Sequence, residues 1–593
     1  MRRDTATGGR PRAEILESCI VCPPPMERAA GRYGWSLVVG AAALATILRF
    51  SGIDAKSLWG DEIVSLTVSM GHSWYPWQGE ETELVYSASH YRELVSLSPT
   101  YFSERLGALL RMNDQVPPLY YILLNLWLHA FGTSEAALRS LSLLASVATI
   151  PVLYLLASAL ASQRVGVYAA WVFALAPFQV AFALYNRPYA WLGFFAVLSS
   201  LAAVHLSRGE RGNWLILYAV TITLGLYTHY LFVWNVAFQI VLVGFYRRHD
   251  RPFLIRFALA CLCVAIACLF WAPTFVAQVQ WSRELRHQSW FYWYSGMPPV
   301  FSVVASLARN AFLLLSAGRL SEFCAPGGDR CEIDGALRLV IYAVPLLMVG
   351  LGGWRLLQDV LRKAAQNGLP NPWGTCLLWC GCVFLGPAIT DFLLDSHIVY
   401  SHRYFIGGGG PLYIAVAMVV VGTTGRALRW SIGAGFLLFL FAGSVLYHRG
   451  LAPALMYEMA ARDVARHIDG RSADADDLVL LMDPGLNPMD FAYYLRSNPD
   501  IARVKVPERH LSAPDIPAQL RAVTTARRRA RIWYLDDHGP ERDPHNAVLG
   551  WLSTHYDEVE RREFTNVSAF VFSPRSADDG SASHSHDARS GRD

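Results

Sequence analysis

From residue 34 to residue 447 the chain alternates between long apolar runs and short polar joints that carry most of the arginines. A helix needs about 20 apolar residues to cross a bilayer, and the runs approach that length. The first, Trp35 to Ile53, follows a segment with six arginines in residues 1–33 and has no small-residue cleavage site behind it. It predicts a retained spanning helix with its N-terminus inside, rather than a removable signal. Further spans are predicted near 118–131, 139–160, 165–183, 189–206, 214–228, 230–246, 253–275, 336–357, 373–393, 409–424 and 430–447, twelve runs in all with the first.

Arginine placement orients these runs. YRRHDR (246–251), RLLQDVLRK (355–363) and GRALR (425–429) are cytoplasmic by the positive-inside rule, which leaves the C-terminal region outside. Counting back from YRRHDR puts THY (228–230) outside, ERG (210–212) inside, NRPY (186–189) outside and SQR (162–164) inside. The first helix puts residues 54 to about 115 outside as well, and the two counts then disagree by one crossing. The short run 118–131, opened by Pro117 and Pro118, is expected to be a half-helix or interfacial segment. Residues 298–318 are apolar on one face but contain Arg309 and Asn310, which predicts an interfacial helix on the outer side. The expectation is an α-helical polytopic membrane protein of about eleven spans.

After residue 447 the pattern changes. LVLLM (478–482), RIWYL (531–535) and the alternating EVERREFTNVSAFVF read as strands, with helical patterns around 489–496 and 546–555. The predicted organisation is a basic cytoplasmic segment (1–33), a membrane domain (34–447) with an outer loop (54–115), a small extracytoplasmic α/β domain (448–574) and a disordered tail (575–593).

Composition agrees with the pattern. Of the 593 residues 53% are hydrophobic and 17% charged, and the mean hydropathy is +0.27, which excludes an ordinary soluble enzyme. A net charge of +4 supplies no field for nucleic acid. Most of the ten cysteines sit in apolar runs as small hydrophobes, while Cys324 and Cys331 bracket a Gly-Pro-rich loop where a bridge fits an oxidising compartment. CIVC (19–22) has no second ligand pair, so it is weak as a metal or redox motif. No Walker motif, GxGxxG or HExxH occurs.

The chemistry gathers at the outer ends of the runs. Asp61 and Glu62, in LWGDE directly after the first span, suit a general base or a metal site, or equally the acidic first turn of a helix. Asp114, before Pro117 and Pro118, puts a further carboxylate at the bundle mouth or simply starts a helix. Arg187, in YNRPY with Tyr189, needs a partner or an aqueous cavity at this depth; it suits a lipid-linked phosphate or snorkels to headgroups. His229 with Tyr230, and His402, Arg403 and Tyr404, put polar and aromatic groups at the same boundary, where belt anchoring is the plainer role. Gly407–Gly410 lacks the residues of a phosphate loop and reads as close helix packing. That all these groups fall on one side of the membrane, by a topology fixed from other residues, is the argument for a site.

At LWGDE (58–62), DQVPPLYYILLNLWLHAFGTSEAALRSLSLL (114–144), YNRPYAWL (185–192), THYLFVW (228–234) and HRYF (402–405) the chain resembles polytopic glycosyltransferases of the GT-C fold, specifically bacterial relatives of protein O-mannosyltransferases and of aminoarabinose and lipopolysaccharide-core sugar transferases. The resemblance implies inverting transfer of a sugar from a polyprenyl-phosphate donor to an envelope glycan, lipid or protein at the outer face of a bacterial cytoplasmic membrane. It implies Asp61 as general base with Glu62 beside it, and Arg187 and Arg403 on the donor phosphate. Asp114, Tyr189, His229, Tyr230, His402 and Tyr404 are candidates for the cavity wall. Many relatives carry an acid directly before the arginine that Arg187 matches, where this chain has Asn186. Metal use varies in the family, so no ion is assigned. The alternatives are a transporter or flippase for an envelope lipid, and an inactive relative whose outer domain binds a partner.

Overall fold

The architecture comes from a computed structural model that describes residues 25–72, 85–97, 116–210, 212–285, 299–316, 343–354, 358, 371–394, 398–448, 460–471, 476–483, 488–505, 515–525, 531–537 and 546–575. Asp114, CIVC, the Cys324–Cys331 loop and the tail from 576 lie outside these residues.

The apolar runs form a helical bundle. Among the described residues seven helices are long and apolar enough to cross a bilayer: Tyr33–Phe50, Glu135–Leu160, Tyr189–Ser207, Arg251–Leu269, Pro372–Leu394, His402–Val421 and Arg426–His448. Leu119–Phe131, Trp214–Thr228, Phe232–Tyr246, Val303–Leu315 and Ala343–Trp354 are shorter apolar helices. Leu119–Phe131 has 13 residues, about 20 Å of helix against a hydrocarbon core of roughly 30 Å.

The run 165–183, expected as one straight span, is instead two helices, Gln163–Leu175 and Pro177–Ala183, bent by 59°. Pro177 has no N–H for the Phe173 carbonyl, and Ala176 before it is extended, with φ −64° and ψ 120°. Other side chains serve the freed carbonyls. Arg49, fully buried, donates to Ala174 O at 2.9 Å and Phe173 O at 3.4 Å. Ser444 Oγ donates to Leu175 O at 2.8 Å. The guanidinium also meets the negative end of the helix dipole. The second half-helix leads straight into Tyr185-Asn186-Arg187, so the bend aims this turn. The glycine run packs closely: a Cβ on Gly408 would meet Phe384 at 2.7 Å, and one on Gly410 would meet Trp379 at 2.7 Å.

The C-terminal region builds a six-stranded sheet, ordered β1-β3-β2-β4-β6-β5. The strands are β1 (Val85–Ser87), β2 (Leu478–Asp483), β3 (Asp500–Lys505), β4 (Ile532–Asp536), β5 (Tyr556–Phe564) and β6 (Val567–Pro574). β2 pairs in parallel with β3 and β4, while β6 pairs antiparallel with β4 and β5. The stretch read as a third strand is the β5–β6 hairpin, turned at Asn566 with φ 58°. β1 comes from the segment after the Tyr33–Phe50 helix and pairs antiparallel with β3, Tyr86 opposite Ile501. Loop and sheet domain therefore share one side of the membrane, and the chain crosses an even number of times between residues 72 and 460.

Between sheet and bundle lies the helix Gly60–Ser69. Its Ile63 and Leu66 share a core with Tyr120, Tyr121 and Leu124 of the bundle and with Val464, Leu481, Met489 and Phe491 of the sheet domain. The acid pair thus begins a helix clamped on both sides.

Candidate active site

Trp59 is extended and the helix begins at Gly60, so Asp61 and Glu62 lie in its first turn, where carboxylates oppose the positive end of the dipole. Consecutive helical side chains point about 100° apart, and the two acids part company. Glu62 turns inward and is 1% exposed. Arg139 grips it bidentately, Nε to Oε1 at 2.9 Å and NH2 to Oε2 at 2.8 Å. The Asn186 N–H adds a bond to Oε1 at 3.0 Å, and Asn186 Nδ2 donates to the Glu62 carbonyl at 3.2 Å. Asn186, directly before Arg187, thus ties that turn to Glu62 through its main-chain and side-chain amides.

Asp61 is the more open of the two, with its side chain 27% exposed. Its Oδ2 accepts from Tyr185 Oη at 2.9 Å and from Arg403. Arg403 Nε donates to Ser401 Oγ at 2.9 Å. Burial alone would push the Asp61 carboxyl up, but the charges of Arg403 and Arg187 and the bonds from Tyr185 and Arg403 outweigh it and hold the group below the usual carboxylate range. Burial, and next the Asp61 charge, push the Tyr185 phenol well up, which keeps it a donor.

Arg187 comes from the turn after the bent helix and is 7% exposed. It reaches Ser65 Oγ and Tyr121 Oη, each at 3.3 Å. Aromatic rings wall the space. Trp59 stacks on Tyr185 at 5.5 Å and Tyr185 on Tyr189 at 6.0 Å. Tyr404 approaches Tyr189 at 6.1 Å and His229 at 5.5 Å, and His402 sits against Phe182 at 6.0 Å. Burial first, then the two guanidiniums, pushes the His229 imidazole down to about 3, so it is neutral there. Three guanidiniums (Arg139, Arg187, Arg403) against two carboxylates (Asp61, Glu62) leave one positive charge, which suits an anion beside a carboxylate and a set of hydroxyls.

The structure therefore gathers Asp61, Arg187, Arg403, Tyr189, His229, His402 and Tyr404, with Glu62 held behind them. Tyr230 faces elsewhere: its hydroxyl bonds Gln278 and accepts from Trp271 Nε1 at 2.8 Å. Sequence reasoning noted Asn186 only as a departure from relatives and gave no site role to it or to Tyr185, Tyr121 and Arg139. Arg139 carried a further signal, as an arginine at the start of the apolar run 139–160 that must find a partner. Among the described residues no three His, Cys, Asp or Glu side chains converge as metal ligands.

Residues 115–275, about a quarter of the chain, match the family described as dolichyl-phosphate-mannose-protein mannosyltransferases. Over those residues the chain is similar to that mannosyltransferase family. Among solved structures it is similar to ArnT from Cupriavidus metallidurans bound to undecaprenyl phosphate, at a TM-score of 0.49 and 13% identity over 91% of this chain and 98% of that one. It is also similar to the archaeal oligosaccharyltransferase AglB from Archaeoglobus fulgidus, in complex with an inhibitory peptide and a dolichol-phosphate, at a TM-score of 0.41 and 12% identity over 91% of this chain and 74% of that one. No curated protein matches the sequence.

Proposed function

We propose that the chain moves a sugar from a polyprenyl-phosphate donor to an envelope glycan, lipid or protein acceptor, with inversion, at the outer face of a bacterial cytoplasmic membrane. Asp61 is the general base, and the sheet domain lies outside the membrane. The observation that carries the reading is the Asp61–Arg403 pair: a partly exposed carboxylate bonded to a guanidinium, with Arg187 close by, in a cluster of net positive charge.

The pair suggests how the base is armed. In the resting site Arg403 and Arg187 hold Asp61 weakly basic. A donor phosphate takes up those guanidiniums bidentately, and the influences left on Asp61 are the bond from Tyr185, which lowers its affinity for a proton, and burial, the largest, which raises it. Both hydrogen bonds on Asp61 fall on Oδ2, and Oδ1 is the oxygen we assign to the acceptor's proton. The acceptor oxygen forms its bond to the anomeric carbon as the bond to the lipid phosphate breaks, its proton passes to Asp61, and the arginines hold the departing phosphate. Tyr189, Tyr404 and neutral His229 wall the sugar. Glu62, saturated by Arg139 and Asn186, fixes the helix that carries Asp61.

The test compares envelope glycans by mass spectrometry in a deletion strain rescued with the wild-type protein or with Asp61→Asn at equal accumulation. One sugar mass absent from both the deletion and the Asn rescue is the expected result. Full restoration by Asp61→Asn removes Asp61 from the chemistry and favours a transporter of an envelope lipid.

A further inference from the structure

The strap that joins the first span to the acid pair, residues 53–58, is held through its main chain by side chains from two different domains. From the bundle, Arg139 donates to the carbonyls of Ile53 at 2.8 Å, Lys56 at 2.9 Å and Ser57 at 3.0 Å. From the sheet domain, Arg462 donates to the carbonyls of Asp54 at 2.9 Å and Lys56 at 3.1 Å, and its N–H bonds Ser57 Oγ at 3.2 Å. Tyr494 Oη accepts the Leu58 N–H at 2.7 Å. Arg462 and Tyr494 both bond Glu135, at the start of the Glu135–Leu160 helix.

The two halves of this clamp differ in character. Arg139 and Glu62 are sealed, with side chains 4% and 2% exposed. Arg462 and Glu135 are 19% and 12% exposed and open onto a cavity of about 940 Å³ that Asp54, Tyr494, Arg466 and Arg496 also line. Water reaches the sheet-domain half, so it can loosen while the bundle half stays closed. The strap also runs straight into the site: Leu58 precedes Trp59, which stacks on Tyr185, and Tyr185 donates to Asp61.

We infer that Arg462 and Tyr494 are positioning residues: the sheet domain sets the placement of Asp61 through the main chain of residues 54–58, and anything that moves that domain retunes the base. The activity arm of the test rests on the function proposed above; the structural arm does not. Full-length protein in lipid nanodiscs is compared as wild type, Tyr494→Phe, Arg462→Lys and Arg462→Ala, by hydrogen exchange over residues 53–62 and by transfer kinetics. Tyr494→Phe removes one hydroxyl with little change of volume, which guards against a variant that fails to fold.

Tyr494→Phe and Arg462→Ala are expected to speed exchange at 53–62 while β2 and β4 stay protected. A carboxylate displaced by about 1 Å loses on the order of a hundredfold in rate, so kcat should fall about ten- to a hundredfold with the donor KM within about twofold. Arg462→Lys should lie between. Unchanged exchange at 53–62, or equal loss of protection throughout the sheet domain, overturns the inference. If wild-type protein transfers no sugar, the functional proposal fails while the exchange comparison still decides the positioning one.

Discussion

Removing Arg139 tests whether Glu62 is chemistry or scaffold. Arg139→Met deletes two charge-assisted bonds to Glu62 and three to strap carbonyls. A buried ion pair broken on one side costs about 3–5 kcal/mol, because the surviving charge is left in a poor solvent. The carbonyls lose their donor as well, at about 1–3 kcal/mol each if nothing replaces it, though Arg462 still serves Lys56 O. Glu62→Gln alone leaves Arg139 buried and uncompensated, with a similar loss expected. The double variant Arg139→Met/Glu62→Gln removes both charges and keeps an acceptor for the Asn186 N–H, so it should recover the roughly 3–5 kcal/mol of the broken ion pair and differ from the wild type by the donors lost to Ile53 O and Ser57 O, about 2–6 kcal/mol. Thermal unfolding in detergent ranks the four proteins, and transfer rates are measured on each. A scaffold role predicts that the double variant regains both stability and a measurable rate. Additive losses, or a double variant that is stable and inert, would refute it.

Three further outcomes follow from the geometry. Arg403→Ala removes the strongest positive influence on Asp61, and burial then pushes its carboxyl up, so Asp61 stays protonated to higher pH and the acid limb of kcat/KM against pH moves upward; an unmoved limb separates Asp61 from catalysis. Arg49→Met leaves the carbonyls of Phe173 and Ala174 without their donor at the helix bend, which should cost about 2–5 kcal/mol and lower the melting temperature in detergent. Gly410→Ala drives a methyl to 2.7 Å from Trp379, and such overpacking should cost about 1–3 kcal/mol by the same melt.

Much of the bundle was legible because spanning helices announce themselves locally, by length and hydropathy. The break at Ala176–Pro177 was equally local, and the proline was the sign of it. β1 was beyond reach: three residues cannot show a period, and its partner β3, DIARVK, mixes charges into a six-residue strand. Asp61, Arg187, Arg403 and His229 stood out as polar groups at the ends of apolar runs. That Glu62 belongs to Arg139, 77 residues on, depends on which way two neighbours on one helix point, and only the packed fold decides that. Tyr230 and His229 looked alike as neighbours in one joint; the turn between the Trp214–Thr228 and Phe232–Tyr246 helices sends one ring to the site and the other to Gln278.

The pairing of β1 with β3 also fixes an order of events. Ser89 and Asn498, bonded beside that strand pair, lie 409 residues apart, with nearly the whole membrane bundle made between them. A chain emerging from the ribosome makes the segment that carries β1 early and must insert every later span before β3 exists. Through that interval the Gly60–Ser69 helix lacks the cover of Met489 and Phe491, and the strap lacks Arg462. Under the proposed positioning role the bundle is therefore made with its carboxylate unset, and the sheet domain, synthesised after the bundle, completes the loop made before it. A chain cut short near residue 448 lacks both Arg462 and Tyr494, so under the proposed positioning role its transfer rate should fall at least as far as that of Arg462→Ala, and incomplete copies in the membrane should bring little stray chemistry with them.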